Sequence, residues 1–263
     1  MSSPALKRRY GQHHLRGGGL CRPLLDFLRA AGERVLEIGP GGGVLTAELI
    51  RAGARVVACE VDAEWAFALR RRFAGAAAPS IAVADALDLD YRRLVPPTLV
   101  AGNLPFNVAT PIIEAVLAHP EVIPRAAFMV QKEVAERLVA RPGGPAYGSF
   151  TVLAAARAEV RYLGTVRPGS FRPAPRVSAA FVGLELKPPP LPEGEMEDFR
   201  RLVRLAFARR RKTLVNSLAS GLGREAAKEL VGALGLDTRC RAETFDLDGF
   251  VELCRTWRSL GRT

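Results

Sequence analysis

The chain has 263 residues, of which 48% are hydrophobic, so it can fill a core and is not an extended disordered protein. No apolar run approaches the roughly 20 residues that a membrane span needs, and the N-terminal segment lacks the apolar stretch of a secretion signal, so we expect a cytoplasmic protein without a membrane partner. The formal net charge of +11, with basic clusters at residues 7–9, 70–72 and 209–212, makes nucleic acid the expected partner.

Short apolar segments alternate with helical patterns through the first part of the chain. Residues 160–166 and 177–186 are expected to form an antiparallel pair at one edge of the sheet. The alternation predicts an α/β fold with a parallel, doubly wound sheet. The predicted strands are residues 34–38, 55–60, 81–84, 99–102 and 126–130, and the predicted helices are residues 21–31, 44–52, 63–73, 110–117 and 132–139.

A proline-rich segment separates this region from the rest of the chain. Residues 188–194 are predicted to be a stiff linker because proline restricts the backbone. Only helical patterns follow, from residue 196 to about residue 260. We therefore predict a first domain at residues 1–187 and a small all-helical domain at residues 195–263.

A glycine-rich loop follows the first predicted strand. Gly39, Gly41 and Gly43 let a ligand approach the backbone closely, and the helix that follows supplies N–H donors. The dinucleotide fingerprint G-x-G-x-x-G fails because Val44 replaces its third glycine, which makes a nicotinamide-dependent oxidoreductase a distant alternative. The spacing instead suits S-adenosylmethionine, which has no pyrophosphate. Glu37 either contacts this ligand or braces the loop.

Acidic residues end the next two predicted strands. In a sheet of this type, ligands bind beyond the carboxyl ends of the strands. Glu60 lies 21 positions after Gly39, where it can accept hydrogen bonds from both ribose hydroxyls of the ligand. Asp85 can bind an adenine amino group, and Ala86 can supply a backbone donor. An N-cap role is the alternative for a single acid, but the set favours a cofactor site.

The tetrapeptide Asn103-Leu104-Pro105-Phe106 follows the fourth predicted strand. Its residue types are typical of methyltransferases that act on exocyclic amino groups. The Asn103 amide oxygen, with the carbonyl of Leu104 or a neighbour, can accept both N–H bonds of an adenine amino group and turn its lone pair outward. Pro105 fixes the backbone, and Phe106 offers a face on which an extruded base stacks.

Neither a disulfide framework nor a metal site is expected. The four cysteines form no close pair, and His13-His14 has no Cys, Asp or Glu nearby at ligand spacing.

With these motifs in place, the chain resembles the KsgA/RsmA family of ribosomal RNA adenine N6,N6-dimethyltransferases over nearly its whole length. The segments at residues 146–148, 171–177 and 210–214 are more specific than the glycine loop. They favour these enzymes over the related erythromycin-resistance methyltransferases. The other matching segments are residues 10–15, 35–43, 103–106, 110–111 and 130–138.

The resemblance implies a Rossmann-like class I methyltransferase sheet and a role for each matching residue. Phe106 and Phe171 would bracket the target adenine. The family's Asn-Phe is replaced here by His13-His14, which could make cofactor binding pH-dependent or weaken activity. The implied cofactor contacts are Gln12, His13, Leu15, Gly39, Glu60, Asp85 and Asn103. Basic residues of the N-terminal arm and of the helical domain would contact RNA phosphates, namely Lys7, Arg8, Arg9, Arg209, Arg210, Arg211 and Lys212.

The implied function is S-adenosylmethionine-dependent dimethylation of two adjacent adenosines near the 3′ end of small-subunit ribosomal RNA. The enzyme would act as a monomer on the immature small subunit. Two alternatives stay open: a resistance-type enzyme that methylates large-subunit RNA, and a ribosome-assembly factor that binds RNA with weak or lost methylation.

Overall fold

The computed structural model describes residue 4, residues 13–75 and residues 78–261. The chain divides into two compact units. The first unit consists of residues 1–135 and 158–187, and the second of residues 136–157 and 188–263.

Nine strands belong to the described part of the first unit. Seven form one mixed sheet in the order β4-β3-β2-β5-β6-β9-β7, and β1 and β8 form a separate two-stranded ribbon. In chain order the strands are β1 (His14–Leu15), β2 (Arg34–Ile38), β3 (Arg55–Glu60), β4 (Ser80–Val83), β5 (Thr98–Asn103), β6 (Arg125–Gln131), β7 (Ala158–Val166), β8 (Phe171–Arg172) and β9 (Ala179–Leu186).

Five of the sheet strands run parallel, and helices cross between them. β2 to β6 form the parallel part, whereas β9 pairs antiparallel with both β6 and β7. The predicted α/β sheet with an antiparallel edge pair is confirmed. The helices from this region are α1 (Arg22–Leu28), α2 (Val44–Arg51), α3 (Ala63–Arg72), α4 (Ala109–Leu117) and α5 (Lys132–Leu138).

Burial explains why the central strands are continuous apolar runs. In β5 and β6 the residues 98–102 and 126–130 are buried, as expected for strands covered on both faces. Gly102 lies where β5 approaches β2 most closely: a Cβ there would meet the Ile38 carbonyl oxygen at 2.6 Å. A larger residue would therefore push the two strands apart.

Helices build the second unit around its own core. The unit's buried residues come from all of these helices, with Phe199, Leu218, Leu230 and Phe250 at the centre. The helices are α6 (Ser149–Ala155), α7 (Met196–Phe207), α8 (Leu214–Leu222), α9 (Arg224–Ala233) and α10 (Leu247–Ser259). Among the described residues, no helix has both the length and the apolar character needed to cross a membrane.

The structure places one segment differently from the sequence-based division. Residues 136–157, assigned to the first domain by the prediction, belong to the second unit. The reason is that Tyr147, Val152 and Ala156 share a hydrophobic core with α7 to α10. The proposed linker is also partly packed, because Leu191 is buried in this core.

Candidate active site

A cavity of about 290 Å³ opens at the carboxyl ends of four parallel strands of the first unit. Its wall is formed by the residues that follow β2, β3, β4 and β5, together with β1. The lining residues that the sequence analysis singled out are His13, Leu15, Glu37, Gly39, Gly41, Glu60, Asp85, Ala86, Asn103, Leu104, Pro105 and Phe106. The tertiary structure therefore brings both the predicted cofactor residues and the tetrapeptide to one place.

The loop after β2 has a backbone that favours glycine. Gly39, Gly41 and Gly43 have φ angles of +67°, +49° and +75°, in the left-handed region that costs little for glycine. A Cβ on Gly41 would also lie 2.8 Å from His14 Nε2. The loop thus turns tightly at the cavity wall and leads into α2.

Glu60 holds this loop from the end of β3. Its Oε2 accepts a hydrogen bond from the Gly41 amide at 3.0 Å, and its Oε1 accepts one from the Asp62 amide at 3.0 Å. Burial raises the pKa of the Glu60 carboxyl. Each carboxylate oxygen has a further lone pair. The predicted contact with a ribose therefore stays chemically possible, but the structure adds a bracing role that sequence reasoning missed.

Glu37 is a buried acid at the end of β2, with 1% of its surface exposed. Burial raises the pKa of its carboxyl to about 8, and the charge of Glu60 adds to the shift. Glu37 Oε2 has no hydrogen-bond partner among the described residues. A buried acceptor of this kind at a cavity wall favours a cationic ligand group.

The segment after β4 carries Asp85 and Ala86. Asp85 is exposed and accepts a hydrogen bond from the Leu87 amide at 2.9 Å. The Ala86 carbonyl accepts one from the hydroxyl of Tyr91 at 2.9 Å. Tyr91 is 2% exposed and stacks on His119. Sequence reasoning missed Tyr91, since no motif distinguishes it from a core aromatic.

Asn103 ends β5, and its side chain is oriented by His13, which belongs to the N-terminal arm, the segment that precedes α1. Its Nδ2 donates to the His13 carbonyl oxygen at 2.8 Å. Only the nitrogen of the amide can donate to a carbonyl, so this bond fixes which end is which. The amide oxygen, Oδ1, is left without a partner among the described residues. Leu104 is buried and its amide donates to the Met129 carbonyl, which anchors the tetrapeptide to β6.

Phe106 is half-buried at the cavity and contacts the ring of His13. The ring centroids are 5.5 Å apart and the planes are inclined by 31°. His13 Nδ1 lies 2.9 Å from the carbonyl oxygen of Pro173, to which it donates. His13 thus contacts the tetrapeptide twice, through its ring with Phe106 and through its main-chain carbonyl with Asn103.

His14 is a half-buried aromatic contact beside the glycine loop. Its ring meets Trp65 edge-on, with centroids 4.5 Å apart. Burial lowers the pKa of His14, and the nearby His13 lowers it further. The His13 main-chain bond to Asn103 does not depend on the side chain at position 13.

The prediction for Phe171 is corrected by the structure. Its side chain is fully buried, with 0% exposed, and it packs in the core with Leu15 instead of lining the cavity. The ribbon of β1 and β8, in which Leu15 pairs with Phe171, explains the burial. A base cannot stack on Phe171 in this conformation.

Several predicted residues lie elsewhere. Gln12, Lys7, Arg8 and Arg9 fall outside the described residues. Arg209, Arg210, Arg211 and Lys212 are exposed in the second unit, after α7. Arg210 donates to the carbonyl oxygens of Gly144 and Pro145 and lies 3.8 Å from Glu243. Arg210 therefore also joins two loops within its own unit.

The cavity fits S-adenosylmethionine. The Glu37 oxygen that lacks a partner suits the ammonium group of the methionine part. Glu60 and Asp85 are acceptors at the ends of β3 and β4, where ribose and adenine groups would bind. The backbone of the glycine loop has positive φ angles that favour glycine, and glycine leaves no Cβ atom where the ligand would pass.

The fold and this site define a class I, S-adenosylmethionine-dependent methyltransferase. Solved structures of similar fold include a dimethyladenosine transferase from Plasmodium falciparum, with a TM-score of 0.80 and 23% identity, covering 95% of this chain and 99% of that one. The 23S rRNA methyltransferase ErmE has a TM-score of 0.68 and 23% identity, covering 92% and 98%.

Sequence comparison identifies the family. The family model for ribosomal RNA adenine dimethylase matches residues 5–253. Ribosomal RNA small subunit methyltransferase A of Pseudomonas aeruginosa is 39% identical over 252 residues, covering 94% of this chain and 92% of that protein. Its counterpart in Geobacter sulfurreducens is 38% identical over 259 residues, covering 95% and 94%. The chain belongs to the ribosomal RNA adenine dimethylase family.

Proposed function

We propose that this protein transfers methyl groups from S-adenosylmethionine to the N6 amino groups of two adjacent adenosines near the 3′ end of small-subunit ribosomal RNA. The observation that carries the proposal is that Asn103–Phe106 and residues 39–42 of the glycine loop line one cavity. The names of the relatives supply the substrate, since they are small-subunit ribosomal RNA methyltransferases.

Asn103 positions the amino group. When bound, S-adenosylmethionine would supply the methyl group from its positively charged sulfur, and transfer to the amino nitrogen would leave S-adenosylhomocysteine. Asn103 Oδ1 accepts one N–H bond of that amino group, and a carbonyl at or near Leu104 accepts the other. Because the amide nitrogen is held by the His13 carbonyl, Oδ1 needs no reorientation during the reaction. Catalysis rests on positioning.

Phe106 and Pro105 shape the base site. Phe106 supplies the face for the extruded adenine, and Pro105 fixes the backbone between Phe106 and Asn103. The ring of His13 lies beside Phe106 and bounds the same space.

No strong base is required for proton removal, because the amino group becomes cationic on methylation and is then acidic enough to lose its proton to water.

Cofactor binding divides among the other lining residues. Glu37 pairs with the ammonium group, Glu60 with the ribose hydroxyls, and Asp85 and Ala86 with the adenine edge. His13 and Leu15 line the methionine end, and we assign Gln12, which lies outside the described residues, to the same role. The exposed basic residues at 209–212, together with Lys7, Arg8 and Arg9, contact RNA phosphates. The protein acts as a cytoplasmic monomer on immature small subunits.

The test is transfer of labelled methyl groups to ribosomal subunits that lack the modification. We expect label in small-subunit RNA, recovered as dimethyladenosine after nuclease digestion. Label only in large-subunit RNA would instead assign the resistance-type activity. Binding of small subunits without any label would assign a ribosome-assembly factor. Sedimentation of the purified protein tests whether it is a monomer.

A further inference from the structure

Four exposed arginines lie in the segment at residues 167–176 and directly after β1. We name them the arginine rim: Arg16, Arg167, Arg172 and Arg176. In the ribbon, His14 pairs with Arg172 and the Arg16 amide donates to Ser170 O at 2.9 Å. Arg16 Nε donates to Phe171 O, and the Ser170 amide donates to the Arg167 carbonyl. Arg176 follows three residues after Pro173.

His13 connects this rim to the proposed base site. Its Nδ1 donates to the Pro173 carbonyl, next to Arg172, and its ring contacts Phe106. Its own carbonyl accepts from Asn103. Arg172 therefore directly precedes the residue that contacts His13, and His13 in turn contacts both Phe106 and Asn103, all within the first unit.

The rim differs from other exposed arginines of this unit in its charge balance. Arg22 pairs with Asp26, Arg92 with Asp90, and Arg161 with both Glu159 and Glu185. No carboxylate pairs with any of the four rim arginines in the part of the chain that the structure describes. Positive charge is thus left uncompensated at one place.

We propose that the arginine rim binds the phosphates that flank the target adenosine in RNA. This inference rests on the proposed function, because it takes the adenine to be held at Asn103 and Phe106. An extruded base carries its own two phosphates to the mouth of the pocket that receives it. The guanidinium fork matches phosphate oxygens in charge and geometry.

The position of the rim favours RNA over an anionic membrane. Binding at a membrane surface draws on apolar side chains that enter the lipid as well as on basic ones. The rim consists of charged side chains grouped around a base site. A phosphate backbone would run along it without being read for sequence.

The experiment compares two double variants of the full chain with the same change of charge. Arg172→Gln/Arg176→Gln removes half of the rim. The control, Arg34→Gln/Arg125→Gln, changes the arginines that begin β2 and β6. They lie at the amino ends of these strands, and the cavity lies at the carboxyl ends of the parallel strands. Binding to unmethylated small ribosomal subunits is measured over a range of monovalent salt at fixed Mg²⁺. S-adenosylhomocysteine affinity and thermal midpoint are measured on each protein.

We expect the rim variant to bind subunits more weakly and with a flatter salt dependence. The slope of log affinity against log salt should fall by about 1.4, because each contact with a single-strand phosphate contributes about 0.7. S-adenosylhomocysteine affinity should not change. The control should keep the wild-type slope.

An unchanged slope in the rim variant would overturn the proposal, as would equal slopes in the two double variants. Loss of binding to phosphatidylserine vesicles with wild-type binding to subunits would assign the rim to a membrane instead. Failure of the wild-type protein to methylate any adenosine would overturn the proposed function. That failure is recorded separately, because the salt slope does not depend on methyl transfer.

Discussion

The side chain of Asn103 is held by the main chain of His13, at 2.8 Å from amide nitrogen to carbonyl oxygen. The two residues are 90 positions apart in sequence. This bond leaves the amide oxygen as the only group of the side chain that faces no partner among the described residues, and it makes the arm part of the site.

Asn103→Ala should reduce methyl transfer while sparing most cofactor affinity. The substitution removes the oxygen that accepts the amino group, a loss we expect to cost about 10²–10³ in rate, as for other preorganised hydrogen-bonding groups. Single-turnover transfer to unmethylated small subunits gives the rate, and calorimetry with S-adenosylhomocysteine gives the affinity. Equal losses in both would contradict the positioning role.

Phe106 and Phe171 should differ in what their substitution damages. Phe106→Ala should impair methyl transfer with little loss of stability, and Phe106→Tyr should restore transfer because the stacking face returns. Phe171→Ala should cost about 3–5 kcal/mol of stability, as is typical of a buried phenylalanine. Denaturant unfolding and methyl transfer, measured on each variant, separate the two effects.

A conservative change at position 171 supplies the control. Phe171→Leu keeps most of the buried volume, so it should retain methyl transfer whenever the protein is folded. A folded Phe171→Leu protein without transfer activity would argue that Phe171 leaves the core to contact the base.

Glu37 should link cofactor affinity to pH. Its pKa is raised to about 8, so the free protein carries a proton there at neutral pH, and a cationic ligand must displace it. S-adenosylhomocysteine affinity should rise up to about tenfold from pH 6 to pH 7. Calorimetry in buffers of different ionisation enthalpy measures the released proton, and Glu37→Gln should release none at this site.

The same raised pKa has a consequence for stability. Because the folded state holds this proton more tightly than the unfolded chain, the contribution of Glu37 to the free energy of unfolding should fall as pH rises from about 4.5 to about 8. Glu37→Gln should flatten that part of the ligand-free profile. A profile of unchanged shape would show that Glu37 is ionised in the folded protein.

Arg210 and Arg211 should differ although they are neighbours. Arg210 donates to the carbonyls of Gly144 and Pro145 and lies near Glu243, so Arg210→Ala should lower stability by about 1 kcal/mol as well as weaken RNA binding. Arg211→Ala should weaken RNA binding alone. Thermal unfolding and subunit binding check this pair, and equal thermal midpoints would remove the structural role of Arg210.

Sequence alone determined the elements and the chemistry of the site. Strands, helices, the glycine loop and the tetrapeptide Asn103–Phe106 each depend on neighbouring residues: apolar periodicity, glycine at positive φ, and proline before an aromatic. The carboxyl-end rule for parallel sheets was then enough to predict that Glu37, Glu60, Asp85 and Asn103 lie together.

Only the tertiary structure decided how these residues are used. The burial of Phe171, the bond between His13 and Asn103 and the place of residues 136–157 in the second unit depend on contacts between segments far apart in sequence. Whether an aromatic faces a ligand or a core depends on what packs over it. Over Phe171 the packing element is β1, and no local sequence pattern specifies the register in which β1 pairs with β8.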